Sequence, residues 1–269
     1  ASGMMGGGGV GNGGMGAAAA GVVAASQPAP PTATHIGGDP FIRVLYECLL
    51  NDDATELRVY LEPTTGALRN LTLQLEPPPT LRIIMKASPP AAVAGARAMV
   101  PMLSPGGAGV ISAHAACTSP LGGPEAVLLG QIAYSDVASV AEPRVCSFRI
   151  PVPLVSFLRP KPIPTPTFGQ MWPGHAAEGK QMLACAAASD PTGFMALVTK
   201  ALHISAVQTI GMECIACGML VGSQDTILLH GKLGLMNGRA LELTIRSRDP
   251  RLTDAVQRAA IELLQGRAS

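Results

Sequence analysis

The sequence is poor in aromatic residues and carries almost no net charge. Phe, Trp and Tyr make up 3% of its 269 residues, and Trp172 is the only tryptophan. The 19 Lys and Arg residues nearly balance 18 Asp and Glu, which gives a formal net charge of +1. No overall electrostatic field would therefore draw the chain to nucleic acid or to an anionic membrane. Any partner has to be recognised by local features.

Motifs of catalysis are also missing. The five histidines are isolated from one another, and no Gly-x-Ser-x-Gly, His-Glu-x-x-His or phosphate-loop motif accompanies them. The glycine run at residues 6–9 lacks the Lys-Ser/Thr that would follow in a phosphate loop. We therefore expect no enzymatic activity, no cofactor and no bound metal.

The six cysteines are scattered through a chain much larger than the small secreted scaffolds that disulfides stabilise. A reducing, cytosolic compartment is the better interpretation. Cys214 and Cys217 have the spacing of a redox pair or of zinc ligands, but no second pair or nearby histidine accompanies them. We favour two buried structural cysteines over a metal or redox site.

The N-terminal segment lacks the basic and leucine-rich regions of a signal peptide. Residues 1–38 consist almost entirely of Gly, Ala, Pro and small polar residues, and the recurring Gly and Pro make a poor membrane span. Such a composition cannot bury enough apolar surface to offset chain entropy, so we predict a disordered hinge over residues 1–38. Because the chain begins with Ala1, we expect it to be a piece of a longer protein.

Residues 39–152 alternate between short apolar, β-branched runs and turn residues, which predicts strands. Closely spaced strands without a convincing helix indicate an antiparallel, immunoglobulin-like β-sandwich. The predicted strands are 41–50, 57–61, 68–75, 81–86, 96–102, 110–115, 126–134 and 144–150.

A proline-rich stretch at 160–166 marks the start of a different domain, which we place at residues 153–269. The pattern predicts helices at 178–188 and 192–201, followed by strands at 204–210, 213–221, 227–235 and 240–246. At the C-terminus, Asp249 can cap a helix and Pro250 suits its first position. Apolar residues then repeat at helical spacing until Gly266, which is placed to end the helix. Strands closed by such a helix indicate an α+β domain.

Trp172 lies among prolines and small residues rather than in an apolar periodic run. From the residues alone, two interpretations remain open. The ring either covers the core of the second domain or is a partly exposed anchor for a peptide, a role that suits a large amphipathic side chain.

Four stretches, in consistent order, resemble the C-terminal appendage of α-adaptin, the large subunit of the plasma-membrane clathrin adaptor. The first is Asp39-Pro40-Phe41-Ile42, which resembles the start of the sandwich in plant α-adaptins. The second runs from Phe148-Arg149-Ile150-Pro151 to Phe157-Leu158-Arg159-Pro160 and resembles the link between subdomains. The other two are Phe168-Gly169-Gln170-Met171-Trp172, which resembles the Phe-Phe-x-x-Trp of the platform, and the segment 243–253, which resembles its last strand and helix.

The resemblance implies a β-sandwich subdomain followed by an α/β platform with a C-terminal helix. It also implies a monomeric, non-enzymatic module that binds Asp-Pro-Phe and Asp-Pro-Trp motifs of endocytic accessory proteins. Other adaptor subunits would be contacted through a preceding trunk. The implied location is the cytoplasmic face of the plasma membrane, at clathrin-coated pits, and the cytosol, with no membrane insertion and no nucleic acid.

Carried over position by position, the resemblance implies that Trp172, Phe168, Arg246 and Lys232 bind the peptide; Lys232 matches a family arginine only if one residue of the preceding turn is dropped. Two positions depart from the family. Gly169 stands where its members have a second phenylalanine, and Glu242 stands where animal members have arginine, so we expect a shallower and less basic pocket.

Two alternatives remain open. The appendage of a related coat subunit, such as a TPLATE-like protein or another adaptin, has an aromatic platform segment that ends in Trp-Pro, as Trp172-Pro173 does here. A sandwich enzyme or a metal-binding module is the second alternative, which the isolated histidines disfavour.

Overall fold

The first half of the chain forms two five-stranded antiparallel sheets. The computed structural model describes residues 28–121, 123, 125–139, 142–238 and 240–266. The strands of these two sheets are β1 Thr34–Asp39, β2 Ile42–Leu50, β3 Thr55–Pro63, β4 Leu68–Glu76, β5 Leu81–Ala87, β6 Ala92–Ala94, β7 Arg97–Leu103, β8 Gly109–Cys117, β9 Glu125–Asp136 and β10 Arg144–Pro153.

The strand orders are β1-β2-β3-β8-β5 and β10-β9-β4-β7-β6. Both sheets contribute to one apolar core, in which Val59 and Ile111 of the first sheet are fully buried with Leu73 and Ile132 of the second. Side chains in β8 and β9 alternate between buried and partly or fully exposed, as expected when one face packs and the other meets solvent. The predicted β-sandwich and its eight strands are confirmed.

The predicted hinge extends too far towards the C-terminus. Residues 1–27 lie outside the described residues, but β1 pairs with β2 from Thr34 onwards, so the boundary at Gly38 is wrong. The glycines that suggest a linker are required by close packing. A Cβ on Gly37 would lie 2.8 Å from Phe148 Cβ, and one on Gly38 would lie 2.1 Å from the Ile42 carbonyl oxygen.

The described residues of the second half form a six-stranded antiparallel sheet, here called the platform sheet, with three helices of seven residues or more and a short helical turn at Leu235–Gly238. Five strands follow the order β11-β14-β15-β16-β12, and β13 pairs with β14. The elements are β11 Leu158–Pro160, α1 Thr165–Met171, β12 Ala177–Ala184, α2 Pro191–Leu202, β13 Ser205–Ile210, β14 Glu213–Leu220, β15 Thr226–Gly234, β16 Ala240–Ser247 and α3 Pro250–Leu264. Single 3-10 turns cover Leu154–Phe157, Trp172–Gly174 and Ala186–Ser189.

Helices α2 and α3 pack on the same face of this sheet. Phe194 and Val198 of α2 and Leu252 and Val256 of α3 are fully buried in one cluster with the inward side chains of β15 and β16. Helix α3 begins as predicted, because the Asp249 carboxylate accepts a hydrogen bond from the Arg251 backbone N–H at 2.8 Å. The predicted helices at 192–201 and at the C-terminus are confirmed. None of the described helices is long and apolar enough to cross a membrane.

The helix predicted at 178–188 is wrong. Strand β12 occupies most of this segment and pairs with β16 along its whole length, from Ala177 opposite Ser247 to Ala184 opposite Ala240. Its residues favour a helix locally, but hydrogen bonding to the edge of the sheet determines the conformation. The strand conformation matters for function, because it places Glu178 opposite Arg246 on the same face of the sheet.

Arg159 joins the two halves of the chain. Its side chain is buried, and its Nε and Nη2 donate to the carbonyls of Asn51 and Ala54, in the turn between β2 and β3, at 2.7 and 2.9 Å. Nη1 donates to the Ser156 carbonyl at 2.8 Å. A buried guanidinium needs such a set of acceptors, so this residue fixes the start of the platform sheet against the sandwich.

Gly38→Ala should destabilise the protein by about 2 kcal/mol or more, because φ is +136° and the added Cβ would meet the Ile42 carbonyl. Denaturant unfolding measures the change in free energy. Gly66→Ala is the matched control, since its Cβ would meet nothing closer than an Asp136 carboxylate oxygen at 3.9 Å. Equal stability of the two variants would contradict the placement of β1.

Candidate functional site

The face of the platform sheet opposite α2 and α3, here called the outer face, carries three rows of side chains from β14, β15, β16 and β12. In an antiparallel sheet, residues paired across neighbouring strands point to the same face. The ladder pairs give these rows directly. They are Cys217–Leu228–Arg246–Glu178, Ile215–His230–Thr244–Lys180 and Glu213–Lys232–Glu242–Met182.

Helix α1 covers only the apolar corner of the outer face. Phe168 of α1 is buried against Cys217 and Leu228, and the partly buried Met171 and Trp172 pack around this small cluster. Pro166 lies in the first turn of α1, where its missing N–H costs nothing. Apart from Ile215 and Met182, the other two rows of the outer face are polar.

Trp172 lies at the C-terminal end of α1, at the border between the apolar corner and the polar rows. Its ring stacks on Phe168 with centroids 5.3 Å apart and meets the His230 ring edge-on at 5.8 Å. The guanidinium carbon of Arg246 lies 4.6 Å from the centre of the Trp172 ring, within the range of a cation–π contact. The indole is therefore held in place while part of it stays exposed to solvent.

The Arg246 side chain already forms hydrogen bonds within the protein. Its Nε donates to Glu178 Oε2 at 2.7 Å, Nη2 donates to the same oxygen, and Nη1 donates to the Trp172 carbonyl at 3.2 Å. Glu178 thus neutralises the cation next to the indole. A carboxylate from a ligand would compete with Glu178 for Arg246.

Lys232 lies outside the ring cluster. It is on the outer face, but in the third row, two residues beyond His230 on β15. Its ladder neighbours Glu213 and Glu242 pair with other groups, since His230 Nε2 donates to Glu213 at 3.1 Å and Lys180 lies 2.9 Å from Glu242. No described carboxylate lies within ion-pair distance of Lys232.

The structure therefore brings together three of the four predicted residues, Phe168, Trp172 and Arg246. It adds His230 and Glu178, which the sequence analysis did not identify. Leu228, His230 and Lys232 alternate along one strand, so their common face could have been inferred from that spacing. Glu178 could not, because its segment was predicted to be helical.

The outer face has no excess of positive charge. Its three rows contain Arg246, Lys180 and Lys232 against Glu178, Glu213 and Glu242, with His230 as an additional titratable group. At Gly169, an added Cβ would meet no atom within 4 Å, so the surface beside Trp172 is open at this point.

The two cysteines with metal-ligand spacing point to opposite faces of β14. Cys214 Sγ approaches the Pro191 carbonyl at the start of α2, whereas Cys217 packs under Phe168 on the outer face. Both are buried, and burial raises their pKa, to about 11 for Cys217. They cannot bind one metal ion together. In the described part of the chain, no group of three His, Cys, Asp or Glu residues could hold a metal.

Trp172→Ala should cost about 1–2 kcal/mol of stability, because the ring is only partly buried and its loss leaves an open surface rather than a closed cavity. Phe157→Ala is the reference, since Phe157 is fully buried and its truncation should cost about 3–5 kcal/mol. Denaturant unfolding of both variants tests this. A cost for Trp172→Ala equal to that for Phe157→Ala would make the indole a core residue.

Comparison with known proteins gives one family match. Residues 160–262 match the family model described as the adaptin AP4 complex epsilon appendage platform. A search of curated proteins finds no match. Among solved structures, 15 chains are similar. One is the crystal structure of a DUF4466 family protein from Parabacteroides merdae, with 5% identity, a TM-score of 0.24, and coverage of 80% of this chain and 98% of that one. This likeness is too low to support any argument.

The matched segment contains β12–β16, α1, α2 and all but the last two residues of α3, and therefore the whole outer face. It does not favour the α subunit of the plasma-membrane adaptor over other adaptins. The match over residues 160–262 supports an adaptin-type appendage domain, whose family is a non-enzymatic protein-interaction module.

Proposed function

We propose that the chain is the appendage of a coat-adaptor subunit and captures short peptide motifs of partner proteins on its outer face, beside Trp172. The observation that carries this proposal is the indole itself. It is held by Phe168 and Arg246 and is still partly exposed. Fixed, amphipathic rings of this kind are typical anchors of protein interfaces, because little side-chain entropy is lost when they bind.

The apolar corner fits a motif with an aromatic side chain. A ligand ring could pack against the exposed part of Trp172 and extend over the open surface at Gly169. Aromatic pairs contribute about 0.5–1.5 kcal/mol beyond the apolar area that they bury. A single motif should therefore bind weakly, and affinity would come from several motif copies on one partner.

The charged residues of the outer face determine how strongly an acidic motif can bind. Arg246 and Lys232 are the proposed cations for the aspartate of an Asp-Pro-Phe or Asp-Pro-Trp motif, but Glu178 already pairs with Arg246. An incoming aspartate would have to displace Glu178 or bind to Lys232. We therefore propose that the aromatic residue contributes more to affinity than the acidic residue.

The subunit and its location belong to the proposal as well. The sequence resemblance favours α-adaptin, endocytic accessory partners and clathrin-coated pits at the cytoplasmic face of the plasma membrane. The family match is to the platform of an AP4 epsilon appendage, which supports the coat-adaptor role in general. The sequence resemblance and the family match both support a role in recruiting partner proteins.

Trp172→Ala should weaken binding of a peptide with Asp-Pro-Phe repeats by roughly 2 kcal/mol, or about thirtyfold, as expected for a hot-spot aromatic residue. Isothermal titration calorimetry with folded protein measures this. Leu129→Ala is the control, because Leu129 is 49% exposed on the sandwich, away from the outer face. Unchanged binding by folded Trp172→Ala would remove the indole from the site.

Glu178→Gln should tighten binding of an Asp-Pro-Phe peptide by about three- to tenfold, because it leaves Arg246 without a competing carboxylate. An Asn-Pro-Phe peptide should bind both proteins equally. Glu242→Gln is the matched control: it removes a carboxylate from the same face, but one that pairs with Lys180. If the two variants changed affinity for the acidic peptide equally, only the overall charge of the face would matter.

A further inference from the structure

A polar cavity lies at the C-terminal end of helix α1, and none of its polar lining residues is assigned to the Trp172 site. Its volume is about 210 Å³, and Lys161, His175, Asp225, Thr226 and Arg248 line it together with Met171 and Gln224. At about 30 Å³ for each water molecule, it has room for a small polyatomic ion or for the end of a polar side chain.

His175, one of the lining residues, carries an unsatisfied polar atom. The side chain is 2% exposed, and its Nδ1 donates to the Met171 carbonyl at 2.9 Å. Nε2 has no hydrogen-bond partner, and it is the only buried side-chain nitrogen or oxygen of the described residues in that state. Buried polar atoms are nearly always paired, because an unpaired one costs free energy, so this nitrogen indicates a missing partner.

The surroundings of the His175 ring favour its neutral form. Burial lowers its pKa from the usual 6.5, and the positive charges of Arg248 and Lys161 lower it further, against the opposing effect of the hydrogen bond to Met171. Since Nδ1 carries the proton in that hydrogen bond, Nε2 has a free lone pair. The missing partner is therefore a hydrogen-bond donor.

Two cations of the cavity lack a counter-charge. Lys161 Nζ donates to Thr226 Oγ1 at 2.7 Å, which leaves its other N–H groups free to bind a ligand. No described carboxylate lies within ion-pair distance of Lys161 or Arg248. Among the described residues, Asp225 is the one carboxylate that lines the cavity, and its Oδ2 accepts a hydrogen bond from Ser223 at 2.7 Å. The cavity therefore keeps a net positive charge.

A ligand that suits these groups has to accept from two cations and donate to one neutral nitrogen. We propose that the cavity binds a phosphate monoester group or inorganic phosphate. Unprotonated phosphate oxygens accept from Lys161 and Arg248, and the P–OH of the monoanionic form donates to His175 Nε2. The second pKa of a phosphate monoester is about 6, so its monoanionic form is present near neutral pH. Sulfate and carboxylate carry no such proton at this pH.

The same chemistry has two sources, a free phosphate ion and a phosphorylated side chain of a partner. Both are tested by titrating the protein at pH 6.5 with inorganic phosphate and with acetyl-phosphoserine amide, at constant ionic strength. The readouts are the imidazole NMR signals of His175 and the fluorescence of Trp172, the only tryptophan. Saturable binding with a preference of about fivefold or more over sulfate is expected. The tighter of the two phosphate ligands identifies the source.

Two variants make the test specific. Arg248→Gln should weaken phosphate binding about tenfold, whereas Arg251→Gln, the control, should not, because Arg251 pairs with Asp249 and does not line the cavity. His175→Leu keeps both cations and should bind phosphate and sulfate equally. Equal affinity for phosphate and sulfate in the unmodified protein, or an equal effect of Arg248→Gln and Arg251→Gln, would overturn the proposal.

Discussion

The helices of the second half cover one face of the platform sheet and only a corner of the other. This constraint leaves the proposed binding surface accessible. Helices α2 and α3 cover the inner face, with Phe194, Val198, Leu252 and Val256 in one core. Helix α1, at Thr165–Met171, is only two turns long and shields only the corner around Cys217 and Leu228. The remaining rows of the outer face therefore carry mainly polar side chains, and the indole of Trp172 lies where the apolar corner ends.

Ion pairs within the outer face determine which charged groups of a ligand can bind there. Glu178 holds Arg246 against Trp172, Glu213 accepts from His230, and Glu242 pairs with Lys180. These partly exposed pairs contribute little to stability, since such pairs are typically worth 0–1 kcal/mol. Their effect on specificity is larger, because each one has to be exchanged before a charged group of a ligand can bind.

Local signals predicted well those parts of the fold that local contacts determine. The C-terminal helix was found with both ends because Asp249, Pro250 and Gly266 act within one turn. Strands of the sandwich were found because one face of each is buried. Segments whose conformation depends on distant contacts were missed. Gly37 and Gly38 resemble a linker until Phe148 and Ile42 pack against them.

The same difference between local and distant contacts applies to the candidate site. Phe168 and Trp172 belong to one helical segment, and the resemblance to an appendage platform placed Arg246 beside them. The prediction missed Glu178 because its strand forms only by pairing with β16, and it missed His230 because the contact between its ring and Trp172 is a tertiary feature. Lys232 was placed by a sequence match that required a one-residue gap. In the structure it lies one row further from the indole.

Backbone chemical-shift mapping with an Asp-Pro-Phe peptide tests the central claim, that the outer face beside Trp172 is the surface that captures partners. We expect the largest changes at saturating peptide on α1 and on Leu228, His230 and Arg246, and none on α2 or α3. Changes confined to the sandwich, or to the inner face covered by α2 and α3, would contradict it.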